Sequence, residues 1–279
     1  MIDLDAIRYH GFCRRHYHSA EKRLTLQLLS ILRSWGLPKE ETHAALKQLS
    51  VAQLLDETHD VLGDLVSGEG GDHGLHEAQQ VIVPVLPPVD SAHRQLLDDL
   101  DRQRGEIKTW RKRHEKELSR LGEELPVWSW AKEVRGIGPL GLALLVYETG
   151  DLANYATVSC VWKRMGLAVI GGQAQRRVSD VELAKEMGFS PRRRAVMWNI
   201  GGALVKQGEH YRDLYLARKE TEISRPGCGK SKCQGPDGHC RPGHAHRRAQ
   251  RWMEKKFIAD LWGAWNGKSD VPKRRPEAA

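Results

Sequence analysis

The sequence predicts a mainly α-helical protein, and three observations carry that prediction. Apolar residues recur at steps of three and four over most of the chain, no run alternates as a strand pair would, and glycine turns separate the periodic segments. No internal repeat interrupts this organisation.

In chain order, Phe12, Leu24, Leu28, Ile31, Leu32 and Trp35 lie at helical spacing and predict a first helix over 7–35, stopped by Gly36-Leu37-Pro38. Two shorter helices are expected over 38–49 and 51–66, the second capped by Ser50. Ser67 to Gly74, SGEGGDHG, is a loop, and the three prolines of VIVPVLPPVD, Val81 to Asp90, make that stretch an extended connector. A long charged helix is expected over 91–125, with a stripe of Leu100, Ile107, Trp110, His114, Leu118, Leu121 and Leu125. Such a stripe suits either a homodimeric coiled coil or a helix folded back within one chain. Helices over 126–134, 139–149, 157–165, 181–187 and 191–207 follow, and the stripe Ala249, Met253, Phe257, Leu261 and Trp265 predicts a last one over 247–265.

The expected organisation is an N-terminal helical domain over 1–80, the long helix over 91–125, a helix-hairpin-helix domain over 126–266, and a disordered tail over 267–279. No apolar run approaches the roughly 20 residues of a membrane helix, and the N-terminus lacks the apolar stretch of a secretory signal, so the expected setting is the cytoplasm, with no membrane partner.

Charge is unevenly placed. Residues 160–279 carry 25 Lys and Arg against 12 Asp and Glu, whereas residues 1–159 carry 19 against 24. A basic second half implies a polyanion, DNA first and structured RNA as the alternative.

Val134-Arg135-Gly136-Ile137-Gly138 fits the h-x-Gly-h-Gly turn of a helix-hairpin-helix. Glycines permit backbone conformations that a Cβ hinders, and Pro139 suits the first helical position. Free amides around Gly138 and Leu140 at a helix start form an anion site, and on DNA the anion is a backbone phosphate. Gly136, Gly138 and Leu140 are therefore candidate phosphate contacts. Arg176 and Arg177, in an expected loop beside Gln175, and Arg192, Arg193 and Arg194, in the first turn of a helix, add charge, as do Arg247 and Arg248. Cations are unfavourable in a first helical turn unless something negative sits close by. That negative group is either nucleic acid or a carboxylate such as Glu182 or Glu186. Most of the tryptophans, Trp128, Trp130, Trp162, Trp198 and Trp252 among them, are expected to pack in the core rather than to stack on bases.

From about residue 84 to 266, about two thirds of the chain, the order of segments resembles the C-terminal transposase domain of certain insertion-sequence transposases. The long helix comes first, then VRGIGPLGLALLVYETGDLANYATVSCVWKRMGLA, SPRRRAVMWNIGGALV, YRDLYLARK and HAHRRAQRWMEKKF. Those enzymes join a DEDD nuclease domain of RuvC-like fold to a serine-bearing domain and are programmed by a bridge RNA. The resemblance implies DNA recombination on a mobile element or phage. Two departures bear on chemistry. The place of the family's catalytic serine, after a glutamine, is taken here by Ala174 after Gln173, and the first 80 or so residues are too few and too helical for the nuclease domain. Ser179 is the one substitute nucleophile in the vicinity, with no base or metal assignable to it.

Pro226 to His246, PGCGKSKCQGPDGHCRPGHAH, gathers Cys228, Cys233 and Cys240 with three histidines in a stretch without apolar residues to order it. Cys228, Cys233, Cys240 and His244 would make a closed, structural zinc site. His239 lies too close to Cys240 for easy chelation, and His246 is left for a helix cap or a phosphate. A weaker cluster, His10, Cys13, His16 and His18, is expected to be surface or packing. The function expected is that of a non-catalytic nucleic-acid-binding protein. The alternatives are an active transposase or recombinase subunit, and a zinc-containing adaptor binding a protein partner through residues 1–80.

Overall fold

The computed structural model describes residues 3–35, 37, 40, 42, 43, 46, 92–207, 209–225 and 238–268. The expected helix over 51–66, the SGEGGDHG loop, the proline connector and the tail beyond 268 lie outside them. The described chain is mainly helical, and its elements fall into two compact units: Phe12–His114, and Met1–Gly11 together with Glu115–Ala279. The division falls inside two long helices, α1 (Leu4–Ser34) and α2 (Ala92–Glu123).

In the first unit α1 and α2 run antiparallel. Leu28, Leu29 and Leu32 of α1 and Leu97 of α2 bury together with Leu37 and Leu46. Arg111 Nε stands 2.7 Å from Glu21 Oε2, and Tyr17 stacks on His114 and Trp110. Part of the stripe that the sequence offers for dimerisation is thus taken up within the chain. At the start of α1, in the segment that belongs to the second unit, Asp3 Oδ1 accepts the Ala6 amide at 2.8 Å and caps the helix.

The second unit holds α3 (Trp128–Ala131), α4 (Pro139–Thr149), a 3-10 turn (Leu152–Asn154), α5 (Val158–Arg164), β1 (Val169–Ile170), β2 (Gln173–Ala174), α6 (Val181–Met187), α7 (Pro191–Gln207), α8 (His210–Ile223) and α9 (Pro242–Trp265). Helix α4 buries Leu142, Ala143, Leu145 and Val146, so it is apolar on nearly every side, and it packs along α7. Helices α8 and α9 form a second antiparallel pair, joined by Tyr211 Oη donating to Asp260 Oδ2 at 2.9 Å; α9 also packs on α5 and α7. Deep burial and the carboxylate keep the Tyr211 phenol far above its ordinary pKa. Three indole N–H groups act as struts: Trp162 donates to the Lys255 carbonyl, Trp262 to the Tyr155 carbonyl and Trp265 to Asp151 Oδ1.

Four features differ from the sequence reading. The arm before the glycine corner is a four-residue helix, not one spanning 126–134, because turns occupy the residues after Ala131. A short antiparallel ladder, Val169 with Ala174 and Ile170 with Gln173, closes over Gly171-Gly172, both at positive φ, where the sequence offered no strand pair. Helix α8 was not foreseen, and α9 begins at Pro242, earlier than the apolar stripe suggests. Among the described residues, no helix is long and apolar enough to cross a membrane.

Candidate nucleic-acid interface

The glycine corner is closed on one side and open on the other. Gly136 has φ +98°, and a Cβ there would stand 2.8 Å from Leu204 Cα, so the corner lies directly on the α7 backbone. Val134 and Ile137 bury beneath it, and Arg135 Nε reaches Glu209 Oε1 at 3.1 Å. Glu209 is the one non-glycine residue at positive φ among those described, so this ion pair ties the corner to the strained start of α8. Gly138, by contrast, is exposed, with nothing within 4 Å of its virtual Cβ. The amides of Gly138, Leu140 and Gly141 meet no acceptor among the described residues. Half-buried Leu140 contributes its backbone here while its side chain packs on the core.

The arginines fall into two groups. Arg192 Nη2 and Nε lie 2.8 and 3.1 Å from Glu148 Oε2, and Arg193 Nε is 3.7 Å from the same oxygen. Arg194 Nη1 stands 2.9 Å from Glu254 Oε2. Arg248 Nε stands 2.8 Å from Glu222 Oε2, whose other oxygen takes Arg218 Nη2 at 2.5 Å and Arg225 Nη1 at 3.3 Å. All three glutamates are buried. The cations in the first turn of α7 therefore have tertiary carboxylates for partners, and the local pairing with Glu182 or Glu186 does not form. Arg176, Arg177 and Arg247 form the other group. They are exposed and meet no carboxylate among the described residues; Arg176 donates to Gln173 Oε1 and Arg247 to the Gly243 carbonyl.

Two further cations, which the sequence places on the basic faces of the last helix without assigning them to a site, lie close by. Arg251 Nη2 donates to the Ala168 carbonyl at 3.0 Å, and Lys255 Nζ sits 4.6 Å over the Trp162 ring. Burial first, then the nearby Arg194 charge, pushes Arg251 down to about 10, and burial with Arg251 lowers Lys255. Arg194, Arg251 and Lys255 thus form a row of neighbouring cations beside the β1–β2 hairpin. An i, i+4 stripe of basic residues on α9, Arg247, Arg251 and Lys255, was the available signal. Gln175 lies in a loop, as the sequence places it, and is buried there. Its Oε1 accepts the Ala168 amide, and its Nε2 donates to the Lys163 and Met187 carbonyls, clamping the hairpin to α5 and α6.

A second cluster lies between α7, α8 and α9. Tyr215 Oη and His246 Nδ1 are 2.7 Å apart, and the His246 ring meets Tyr215 and Trp198 edge-on at 5.6 and 5.7 Å. Burial, then the charges of Lys219 and Arg247, holds the His246 imidazole below its ordinary pKa.

Ala174 is exposed on β2 and carries no oxygen. Ser179, also exposed, has no hydrogen-bond partner among the described residues. Of the zinc ligands inferred from sequence, Cys228 and Cys233 lie outside the described residues. Cys240 Sγ and His244 Nδ1 approach to 3.5 Å, with Cys240 buried and its amide bonded to the Arg225 carbonyl. Among the described residues, no group of three or more His, Cys, Asp or Glu is placed to hold a metal, and this includes the histidines and cysteine near the start of α1. No protein-family model, curated protein or solved structure matches the chain.

Proposed function

We propose that this chain is a non-catalytic DNA-binding protein of mobile-element or phage origin, which grips the sugar–phosphate backbone through the glycine corner and through the exposed arginines Arg176, Arg177 and Arg247. The observation that carries this reading is the set of acceptor-less amides at Gly138, Leu140 and Gly141, opening the eleven-residue helix α4 from an exposed corner. Backbone amides and a helix dipole together favour a phosphate there, in the manner of a helix-hairpin-helix turn. The resemblance to transposase domains points the same way. Ala174, standing where that family's nucleophile would be, and the unpartnered Ser179 favour binding without strand cleavage.

Of the arginines singled out in sequence, Arg176, Arg177 and Arg247 are the ones left to phosphate, whereas Arg192, Arg193, Arg194 and Arg248 spend their charge mainly on Glu148, Glu254 and Glu222. The test is binding of a labelled duplex of arbitrary sequence, followed by anisotropy over a salt series. Affinity is expected to fall steeply with salt, with no covalent product. Replacing Arg176 and Arg177 by Ala is expected to reduce the slope of log K against log salt by about two. Arg192→Ala is expected to lower stability more than it changes that slope. Absence of duplex binding at low salt removes this reading.

The cysteine-rich segment is proposed as a structural zinc site of Cys228, Cys233, Cys240 and His244, supported by the approach of Cys240 to His244. Metal analysis of the purified protein is expected to find about one zinc per chain. Cys240→Ser should lose it together with part of the thermal stability. Protein that purifies folded and metal-free overturns the site.

A further inference from the structure

Trp198 is the one exposed tryptophan among those described in its unit. Trp130 is buried, Trp128 packs half-buried on the core, Trp162, Trp262 and Trp265 bond through their indole N–H groups, and Trp252 is covered by Arg218 and Lys256. Trp198, on α7, is 39% exposed, and its indole N–H has no partner among the described residues.

Its surroundings are cationic. The Arg194 guanidinium lies 5.6 Å from the ring centroid, one helical turn before it. His246 meets the indole edge-on, fixed from behind by Tyr215 Oη at Nδ1, so its Nε2 remains as a polar atom with no partner among the described residues. Lys219 Nζ lies 5.9 Å from the Tyr215 ring, and Arg247 follows His246 in the chain. Neither Lys219 nor Arg247 has a carboxylate partner among the described residues. The exposed ring borders His246, on which the charges of Lys219 and Arg247 act, while Arg194 over the ring is already paired with Glu254; this setting is complementary to one kind of ligand: a flat, apolar face carrying an anion within a few ångströms. An apolar protein surface would leave these cations desolvated without compensation.

We infer that Trp198, His246, Lys219 and Arg247 form a seat for one unpaired nucleotide of single-stranded DNA, with the base stacked on the indole and its phosphate held by the two cations. A base inside a duplex has both faces covered by its neighbours and cannot lie on a side chain, so the seat selects an unpaired strand. This rests on the DNA-binding reading above and adds to it. The chain holds duplex backbone at the glycine corner and a melted or single-stranded segment at Trp198.

The experiment compares a single-stranded oligonucleotide with a duplex of equal length, measured by anisotropy against wild type, Trp198→Ala, Trp198→Phe and Lys219→Ala/Arg247→Ala, with circular dichroism reporting the fold. Trp198→Ala is expected to weaken single-strand binding roughly tenfold while changing duplex binding by less than about twofold, and Trp198→Phe to recover most of the loss. The double cation variant should weaken single-strand binding and flatten its salt dependence. Single-strand affinity that is unchanged in Trp198→Ala, or lost equally on both ligands, overturns the seat and leaves the glycine-corner reading standing. Wild-type protein that binds neither ligand overturns both. Should Trp198→Ala lose its helical signal, the Lys219→Ala/Arg247→Ala variant decides: with the fold kept, single-strand binding weakened with a flatter salt dependence supports the seat, and single-strand binding left unchanged overturns it.

Discussion

Gly136→Ala is expected to destabilise the protein by about 3 kcal/mol, the sum of a non-glycine side chain at positive φ and of overpacking against a backbone that has little room to move. The residue sits at φ +98°, and a methyl group would meet Leu204 Cα and N at 2.8 and 2.9 Å. Unlike the tip of a long side chain, those atoms belong to the interior of α7, which is held by the buried Met197, Ile200 and Leu204. Relief would require α4 and α7 to separate, which would open the core around Leu142 and Leu145. Gly138→Ala is the matched control. Its backbone is extended, φ −86° and ψ 171°, and nothing lies within 4 Å of the added carbon. It should cost less than about 1 kcal/mol, the preference of an N-cap for glycine over alanine. Urea unfolding of the two variants checks the contrast. Equal losses would mean that the corner does not rest on α7.

The two glycines of one motif therefore do different work, and the sequence separates them poorly. Legibility was high where local chemistry decides. Pro139 and Gly150 bound α4, Asp180 and Gly188 bound α6, and Pro191 opens α7, so these helices are read to within a residue from capping alone. Helix α8 was less legible, because its N-cap is Glu209 at φ 69°, a conformation that propensity does not forecast and that the Arg135 ion pair helps to hold. The hairpin over Gly171-Gly172 makes two residue pairs, too few for alternation to register, although the Gly-Gly dipeptide at positive φ was the available cue. The partners of the arginines were the least legible. Glu148 lies 44 residues before Arg192, and nothing in the text of α4 distinguishes a glutamate that will be buried from one that will face water. The run Arg192-Arg193-Arg194 looks like a basic patch in sequence and is largely an internal ion-pair layer in the fold.

That layer makes Glu254 the most consequential titrating group. Its carboxylate is fully buried, takes Gln250 Nε2 at 3.0 Å on one oxygen and faces Arg194 at 2.9 Å with the other. Burial pushes its pKa up to about 7 from an ordinary 4.5, against the pull of Arg194, Gln250 and Arg251. Between those two values the folded protein keeps a proton that the unfolded chain has released. The stabilisation from this group is therefore fully present below about pH 4.5 and is lost as pH rises through 7, a change on the order of 3 kcal/mol. Glu254→Gln keeps the shape and an acceptor for Gln250 while removing the titration, so its stability should vary less between pH 5 and pH 8, by roughly that amount, than that of wild type. Chemical unfolding at the two pH values measures it, and an unchanged difference would sink the assignment. The same proton bears on binding. Below about pH 7 the protonated carboxyl no longer neutralises Arg194, and the row Arg194, Arg251 and Lys255 becomes more positive beside the hairpin that carries Arg176 and Arg177. Duplex affinity at fixed salt should accordingly rise from pH 8 to pH 6 in wild type and rise less in Glu254→Gln, because only the wild-type carboxylate can gain the proton that frees the row.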